Sequence, residues 1–442
     1  MFKRKVYKTL LNWKNEEDGR TAALIQGARR VGKSTLVEEF AKNEYASYIL
    51  IDFSLAPSTV LRLFDDLSDL NYLFLQLQLQ YQVELYERKS VIIFDEVQLY
   101  PKARQAIKHL VKDHRYDYIE TGSLLTLRKN VQSILIPSEE HKISMFPMDY
   151  EEFRWALGDT ATIPLLRHTF QSRSSLGDAM NRKLLKDYRL YLLVGGMPQA
   201  VAEYLRTNNF MRVDNVKHEI ISLYEDDFRK IDPTGRASLL FDAIPAQLSA
   251  NGSRYHVSSV LRDARPDDLL KVIADMQDSM TVLLCYHAND PGAGLAGHKD
   301  LTRFKIYVLD TGIFTTLAFK DRDFTENEIY TRLLNDKLST DLGYLYENAV
   351  AQALTAAGNE LYYHCFPYGT SNNYYETDFL LSRGNKICPI EVKSSGYKTH
   401  ASLDAFSAKF SRQIKKSYLI YTKDYRPTNE IDYVPFYMTQ FL

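Results

Sequence analysis

Gly27-Ala28-Arg29-Arg30-Val31-Gly32-Lys33-Ser34 decides how the N-terminal part of this chain is read. Before it, Thr21-Ala22-Ala23-Leu24-Ile25-Gln26 is apolar enough for a short buried strand. After it, Ser34-Thr35-Leu36-Val37-Glu38-Glu39-Phe40-Ala41-Lys42 has helical spacing, with Leu36, Val37 and Phe40 on one side. A glycine-rich loop between a strand and a helix N-terminus turns several backbone N–H groups, and the positive end of the helix dipole, toward an anion. Lys33 adds a point charge for the outer phosphates of ATP, and Ser34 an oxygen for Mg²⁺. Gly27, Arg30, Val31, Gly32, Lys33, Ser34 and Thr35 are therefore the candidate ATP-binding residues. The plain alternative is a glycine turn with an incidental lysine.

A second stretch weighs against that alternative. Val91-Ile92-Ile93-Phe94-Asp95-Glu96 reads as a buried parallel strand ending in two carboxylates, at the edge where open α/β sheets bind ligands. Asp95 is placed to hold the Mg²⁺, directly or through water, and Glu96 to polarise the water that attacks the terminal phosphate. A lone Asp-Glu pair at a strand end is commonly a solvated turn, but here it follows the glycine loop. A third strand is expected over Tyr116 to Ile119, with Thr121-Gly122-Ser123 behind it. Thr121 and Ser123 are equal candidates for a polar group beside the terminal phosphate, and a simple strand-to-loop turn is the other reading.

QGARRVGKST, IIFDEVQ, the TGS that follows the next strand, FPMDYEEF at 146–153 and VGGMPQA at 194–200, in that order, carry a resemblance. The chain is similar over essentially its whole length to a prokaryotic family of AAA+-type ATPases with an uncharacterised C-terminal region. The resemblance implies a sensing residue at Thr121 or Ser123 and a helical lid after the ATPase core. Glu120 departs from it, because the family places an apolar residue there. Gly195-Gly196-Met197-Pro198 reads first as architecture, ending one helix and starting another. Short helices over 236–250, 257–264 and 266–279, then strands near 280–286 and 303–309, resemble a winged helix. The would-be recognition helix carries Asp267, Asp268, Asp275 and Asp278 against Lys271 alone, a face that repels phosphates, so a connecting or protein-binding module fits better. Lys305-Ile306-Tyr307-Val308-Leu309-Asp310-Thr311-Gly312 closes this region and matches the same family.

Further on, a helix over 342–357 carries Glu347, YYETDFLLS places Asp378 in a strand, and KICPIEVKSS places Glu391 and Lys393 in the next. Residues two apart on a strand share a face, so Glu391 and Lys393 point together, and Asp378 on the neighbouring strand joins them. Two carboxylates and a lysine at one sheet edge suit metal-dependent phosphodiester cleavage. Asp378 and Glu391 would bind Mg²⁺ or Mn²⁺, the Val392 carbonyl and Glu347 would complete the shell, and Lys393 would orient or activate water. The pattern resembles the PD-(D/E)xK, restriction-endonuclease-like fold, with Thr377 where a proline is usual. A surface ion pair between Glu391 and Lys393 is the ordinary alternative.

At 442 residues and roughly 150 residues per domain, several domains are expected. The fold class is α/β: an AAA+-like P-loop NTPase core at 1–145, a helical lid at 146–230, a winged-helix-like connector at 231–310 and a restriction-endonuclease-like domain at 311–442. With 45% hydrophobic and 25% charged residues, the chain can bury sizeable cores. Lys and Arg number 55 against 56 Asp and Glu, so any attraction to DNA or RNA must come from a local patch. Three dispersed cysteines, Cys285, Cys365 and Cys388, build no zinc or redox motif and suit a reduced cytoplasm. No segment approaches the ~20 apolar residues that span a bilayer, so no membrane partner is expected. Two functions compete: an ATPase, with Glu96 as base, whose cycle licenses a metal-dependent nuclease using Lys393, and an ATP-gated switch whose nuclease-like domain binds a protein partner. Self-association stays open.

Overall fold

The computed structural model describes residues 1–123, 136–250, 254–261, 266–292, 294–320, 331, 333–335, 343–368 and 373–442. The side chains of Asp267 and Asp268 lie outside the described residues. The chain forms two compact units, one of Met1–Phe146 with Asp278–Met280, the other of Pro147–Gln277 with Thr281–Leu442.

In the first unit, strands β1 (Ala22–Gln26), β2 (Ser47–Asp52), β3 (Ser90–Asp95), β4 (Asp117–Gly122) and β5 (Glu140–Ser144) form a parallel sheet in the order β2-β3-β4-β1-β5. Every residue of β3 and β4 is buried, as expected where helices cover both faces of a parallel sheet. Leu36, Val37 and Phe40 of the helix Lys33–Glu44 are buried in the spacing their sequence predicts. The strand order sets β4 between β1 and β3. Gln26 pairs with Gly122 and Phe94 with Glu120, so the ends of these three strands lie level. The glycine loop after β1 and the carboxylates after β3 therefore stand on either side of the end of β4.

The second unit holds β6 (Val282–Ala288), β7 (Lys299–Val308), β8 (Tyr362–Pro367), β9 (Tyr374–Arg383), β10 (Lys386–Lys393), β11 (Ser417–Tyr421), β12 (Arg426–Pro427) and β13 (Ile431–Pro435). They make one sheet in the order β12-β13-β11-β10-β9-β8-β6-β7. This corrects the expected boundary at 310. The strands read as part of a winged-helix-like connector hydrogen-bond into the C-terminal sheet, where Tyr286 of β6 pairs in parallel with Tyr362 of β8. A hairpin left alone exposes an edge, and β8 satisfies it. The region read as a lid is helical: Tyr150–Ala156, Thr162–Gln171, Asp178–Val194, Pro198–Thr207 and Phe210–Ile231. These helices share a compact unit with the sheet, where three separate domains were expected after residue 145.

Two sequence motifs explain each other here. A side chain on Gly195 would collide with Asp310 and Gly312, and one on Gly196 with the Met148 backbone. Asp310 caps the helix Thr311–Ala318 by accepting from the Ile313 N–H at 2.9 Å, and its other oxygen accepts from the Gly196 N–H at 2.6 Å. The Gly-Gly pair thus does more than end a helix. It admits the backbone of a second motif that lies more than a hundred residues away in sequence.

Candidate functional site

The glycine loop is shaped by backbone demands. Gly32 adopts φ 96°, and a side chain on Gly27 would strike the Met145 carbonyl. Arg30, at φ 67°, holds a left-handed conformation that disfavours L residues, a local strain typical of ligand-binding loops. The Lys33 side chain folds back over the loop, and its Nζ donates to the carbonyls of Gly27 and Ala28, both at 3.0 Å. Neutral carbonyls are weaker partners for an ammonium than phosphate oxygens, so this arrangement gives way readily to an anion. Ser34 opens the helix, and its Oγ donates to Asp95 Oδ1 at 2.8 Å. Arg30, Val31 and Thr35 lie in the same loop and first helical turn.

Asp95 is the meeting point. Its Oδ1 also accepts from the Thr121 hydroxyl, so Ser34 from the glycine loop, Asp95 from β3 and Thr121 from β4 converge on one oxygen. Of the two equal candidates after the third strand, Thr121 is the one that reaches Asp95; Ser123 lies just past the end of β4, partly buried. Glu96 sits in a left-handed turn at φ 54°, its N–H donates to Thr121 Oγ1 at 3.3 Å, and its carboxylate accepts from the Gln98 side chain. Ser34 and Asp95 form a hydroxyl-carboxylate pair at the mouth of the loop, a donor set that fits Mg²⁺.

Directly behind Thr121, Glu120 is fully buried and neither of its oxygens has a hydrogen-bond partner among the described residues. Nearby, Arg104 grips Glu140 in a two-pronged ion pair, at 2.7 and 2.8 Å. Burial, and then the Glu140 charge, push the Glu120 carboxyl well above its usual range, with Arg104 opposing. Where the family resemblance leads one to expect an apolar residue, this chain buries a carboxyl group.

The second unit brings the other predicted residues together. Glu347 on the helix Gly343–Ala356, Asp378 on β9, and Glu391 and Lys393 on β10 line one cavity of about 680 Å³. Antiparallel pairing of β9 with β10 aligns them, and Asp378 Oδ2 accepts from the Val392 N–H at 2.7 Å. Lys393 Nζ lies 2.9 Å from Glu391 Oε1. Two residues of this cavity were not anticipated. Glu376 lies two before Asp378 on the same strand face, a position that strand alternation could have flagged. Lys305, 5% exposed on β7, places its ammonium 2.9 Å from Glu347 and 2.5 Å from Glu376. Nothing local in the sequence marks Lys305, because the sheet order alone brings it there.

Burial, then Glu347, and after it Glu391 and Glu376, push the Asp378 carboxyl well up, while Lys305 opposes. Burial also raises Glu391, with Lys393 opposing. Burial by itself would depress Lys305, but Glu347 and Glu376 outweigh it and hold its ammonium well above the ordinary lysine range. A hard divalent cation fits the donor chemistry, since Glu391 Oε2 is buried without a hydrogen-bond partner among the described residues. Against that, no group of three or more His, Cys, Asp or Glu side chains among the described residues is arranged to hold a metal as it stands.

Comparison with known proteins adds the following. Residues 19–154 match a family model described as an AAA domain. The match supports a P-loop ATPase and ATP binding. Two further family models, each described as a domain of unknown function, match residues 185–323 and 342–438. No curated protein matches the chain. Among solved structures, the Walker-type ATPase paby2304 of Pyrococcus abyssi aligns at 16% identity and a TM-score of 0.44, covering 72% of this chain and 96% of that one. A signal transduction ATPase with numerous domains and a tetratricopeptide repeat sensor, from Pyrococcus horikoshii, aligns at 12% identity and a TM-score of 0.27, over 80% of this chain and 48% of that one. Likenesses this distant carry nothing about substrate or partner. No helix among the described residues is long and apolar enough to cross a membrane.

Proposed function

We propose that the protein binds and hydrolyses ATP at the glycine loop, and that this cycle controls a metal-dependent, nuclease-like site in the second unit that acts on DNA or RNA. The observation that carries the ATPase reading is the convergence of Ser34 and Thr121 on one oxygen of Asp95. Ser34 and Asp95 would hold Mg²⁺, which would supply neutralising charge to the phosphates. Lys33 leaves the loop carbonyls for the outer phosphate oxygens. Thr121 fixes the orientation of Asp95 and hydrogen-bonds the Glu96 backbone, so the two carboxylates keep their places while the Glu96 side chain accepts a proton from the attacking water.

For the second site, Asp378 and Glu391, with Glu347 and the Val392 carbonyl, would hold Mg²⁺ or Mn²⁺, whose chemistry there is polarisation of a phosphodiester and acidification of water. Lys393 beside Glu391 stabilises negative charge as it develops on the phosphorus oxygens. One observation favours a second reading, an ATP-gated switch with a non-cleaving scaffold that binds a protein partner. Lys305 already pairs with Glu347 and Glu376, so part of the cavity's negative charge is balanced without a divalent ion. ATPase and nicking assays on the purified protein, with Mg²⁺ or Mn²⁺ and with or without ATP, separate the two. The nuclease reading expects cleavage that Asp378→Ala abolishes. ATP turnover with no cleavage of single- or double-stranded DNA or RNA would leave the switch.

A further inference from the structure

The net charge of the chain is −1, yet a groove of about 740 Å³ in the second unit gathers Arg182, Lys186, Arg189, Lys423 and Arg426, and among the described residues Asp178 is the one carboxylate in its lining. Arg182, Lys186 and Arg189 lie four and three residues apart on the helix Asp178–Val194, which sets them on one face. Like charges at that spacing repel, and a carboxylate between them would have relieved it. Arg182, Lys186 and Lys423 are exposed and have no ion-pair or hydrogen-bond partner among the described residues.

The groove adjoins the acidic cavity. Lys393, which lines that cavity, is the strand partner of Tyr421, which lines the groove. The segment that follows Lys393 lines both, with Ser394, Ser395 and Gly396 on the cavity and Tyr397 on the groove. The Thr422 hydroxyl donates to the Ser394 carbonyl at 3.4 Å, tying the two walls together. Arg189 donates to the Tyr346 hydroxyl at 3.0 Å, next in sequence to Glu347.

We propose that this groove holds the phosphodiester backbone of a nucleic-acid strand and leads it to the cavity of Asp378, Glu391 and Lys393. A row of cations spaced along one helix face suits a repeating anion, and partly buried Tyr397 offers a ring beside the path on which a base can stack. The choice of a nucleic acid over an acidic protein rests on the nuclease-like reading of the neighbouring cavity. The groove itself stands on charge and geometry.

Fluorescence anisotropy with labelled single-stranded and duplex DNA and RNA, in EDTA and without ATP, tests binding with no cleavage required. The full-length protein is expected to bind at least one of them, with affinity falling as salt rises. The combined variant Arg182→Ala, Lys186→Ala, Lys423→Ala is expected to bind at least tenfold more weakly at physiological salt, with the slope of log affinity against log salt reduced by about 0.7–0.9 per residue removed. Lys183→Ala, on the same helix but outside the groove, is expected to change neither. An unchanged melting temperature and ATP affinity would show that the triple variant is folded; if it is not, the three single variants are read by their salt slopes. Absence of binding by the wild type, equal binding by the triple variant, or equally tight binding of polyglutamate would overturn the proposal. Binding that depends on these residues with no cleavage under any condition would keep the groove and remove the nuclease reading. Cleavage that persists while the groove variants bind normally would do the reverse.

Discussion

Each unit of this protein buries a lysine at its candidate site, and the two are held in different ways. Lys33 is 7% exposed and donates to two neutral carbonyls of its own loop. Lys305 is 5% exposed and is gripped by two carboxylates from distant elements. The two carbonyls that the first cation meets in its loop are neutral acceptors, weaker partners for an ammonium than phosphate oxygens. The second has its counter-charges in place, and removing it leaves two partly buried carboxylates without their cation, which is costly. A lysine awaiting its anion and a lysine standing where a metal ion would compete are thus told apart by their partners alone, although both are equally hidden.

The contrast is broken most severely at the catalytic step of the first site. Glu96→Gln keeps Asp95 and the glycine loop intact, so nucleotide binding is expected to survive while ATP turnover falls by about 10²–10⁴-fold. Unchanged turnover in a coupled phosphate-release assay would show that Glu96 is not the base. Next in size is Lys305→Met, which is expected to destabilise the second unit by about 3–5 kcal/mol in chemical unfolding, because Glu347 and Glu376 lose their shared partner. If Lys305 stands in for a cation, Mn²⁺ should then raise the melting temperature of this variant more than that of the wild type. Equal shifts would make Lys305 a purely structural ion pair.

Lys33→Ala is expected to weaken ATP binding by about 1.5–3 kcal/mol, the worth of a charged hydrogen bond, with a smaller loss of fold stability. Titration calorimetry and thermal melting on the same samples check both halves. The smallest effect is expected at Glu120. Its folded pKa lies above its unfolded value, so the native state binds more protons; stability is greatest below the unfolded carboxyl pKa and falls as pH rises toward the folded one. Glu120→Gln keeps the shape and removes the charge, and should stabilise the first unit by the order of 1 kcal/mol at pH 8 and by less at pH 5. A gain that is the same at both pH values would show that ionisation of Glu120 is not the cause.

What could be read from the chain depended on how the information is spread along it. The glycine loop is contiguous, and its phosphate-binding groups are backbone atoms whose placement follows from the flanking strand and helix. The β3 run of apolar residues ending in Asp95-Glu96 is equally local, and Glu391 and Lys393 share a face by strand alternation alone. These features needed only local geometry, and Gly27, Gly32, Lys33, Ser34 and Asp95 could be named as candidates from the letters. Between Thr121 and Ser123 the chain was silent, because both are small hydroxyls past one strand, and only the level register of β3 and β4 shows which reaches Asp95.

Tertiary structure alone decided the rest. Lys305 and Glu347 are 42 residues apart and on different kinds of element, so no periodicity links them. That pairing exists because β6 and β7 complete the C-terminal sheet, and which strands pair across long sequence gaps cannot be read from the local pattern of one strand. The same reason hid the basic groove. Arg182 and Lys186 are exposed on a helix, Lys423 and Arg426 follow β11, and neither stretch carries a motif. Each signal is bland by itself, and only packing of the helix beside the end of β11 turns scattered surface charge into a site.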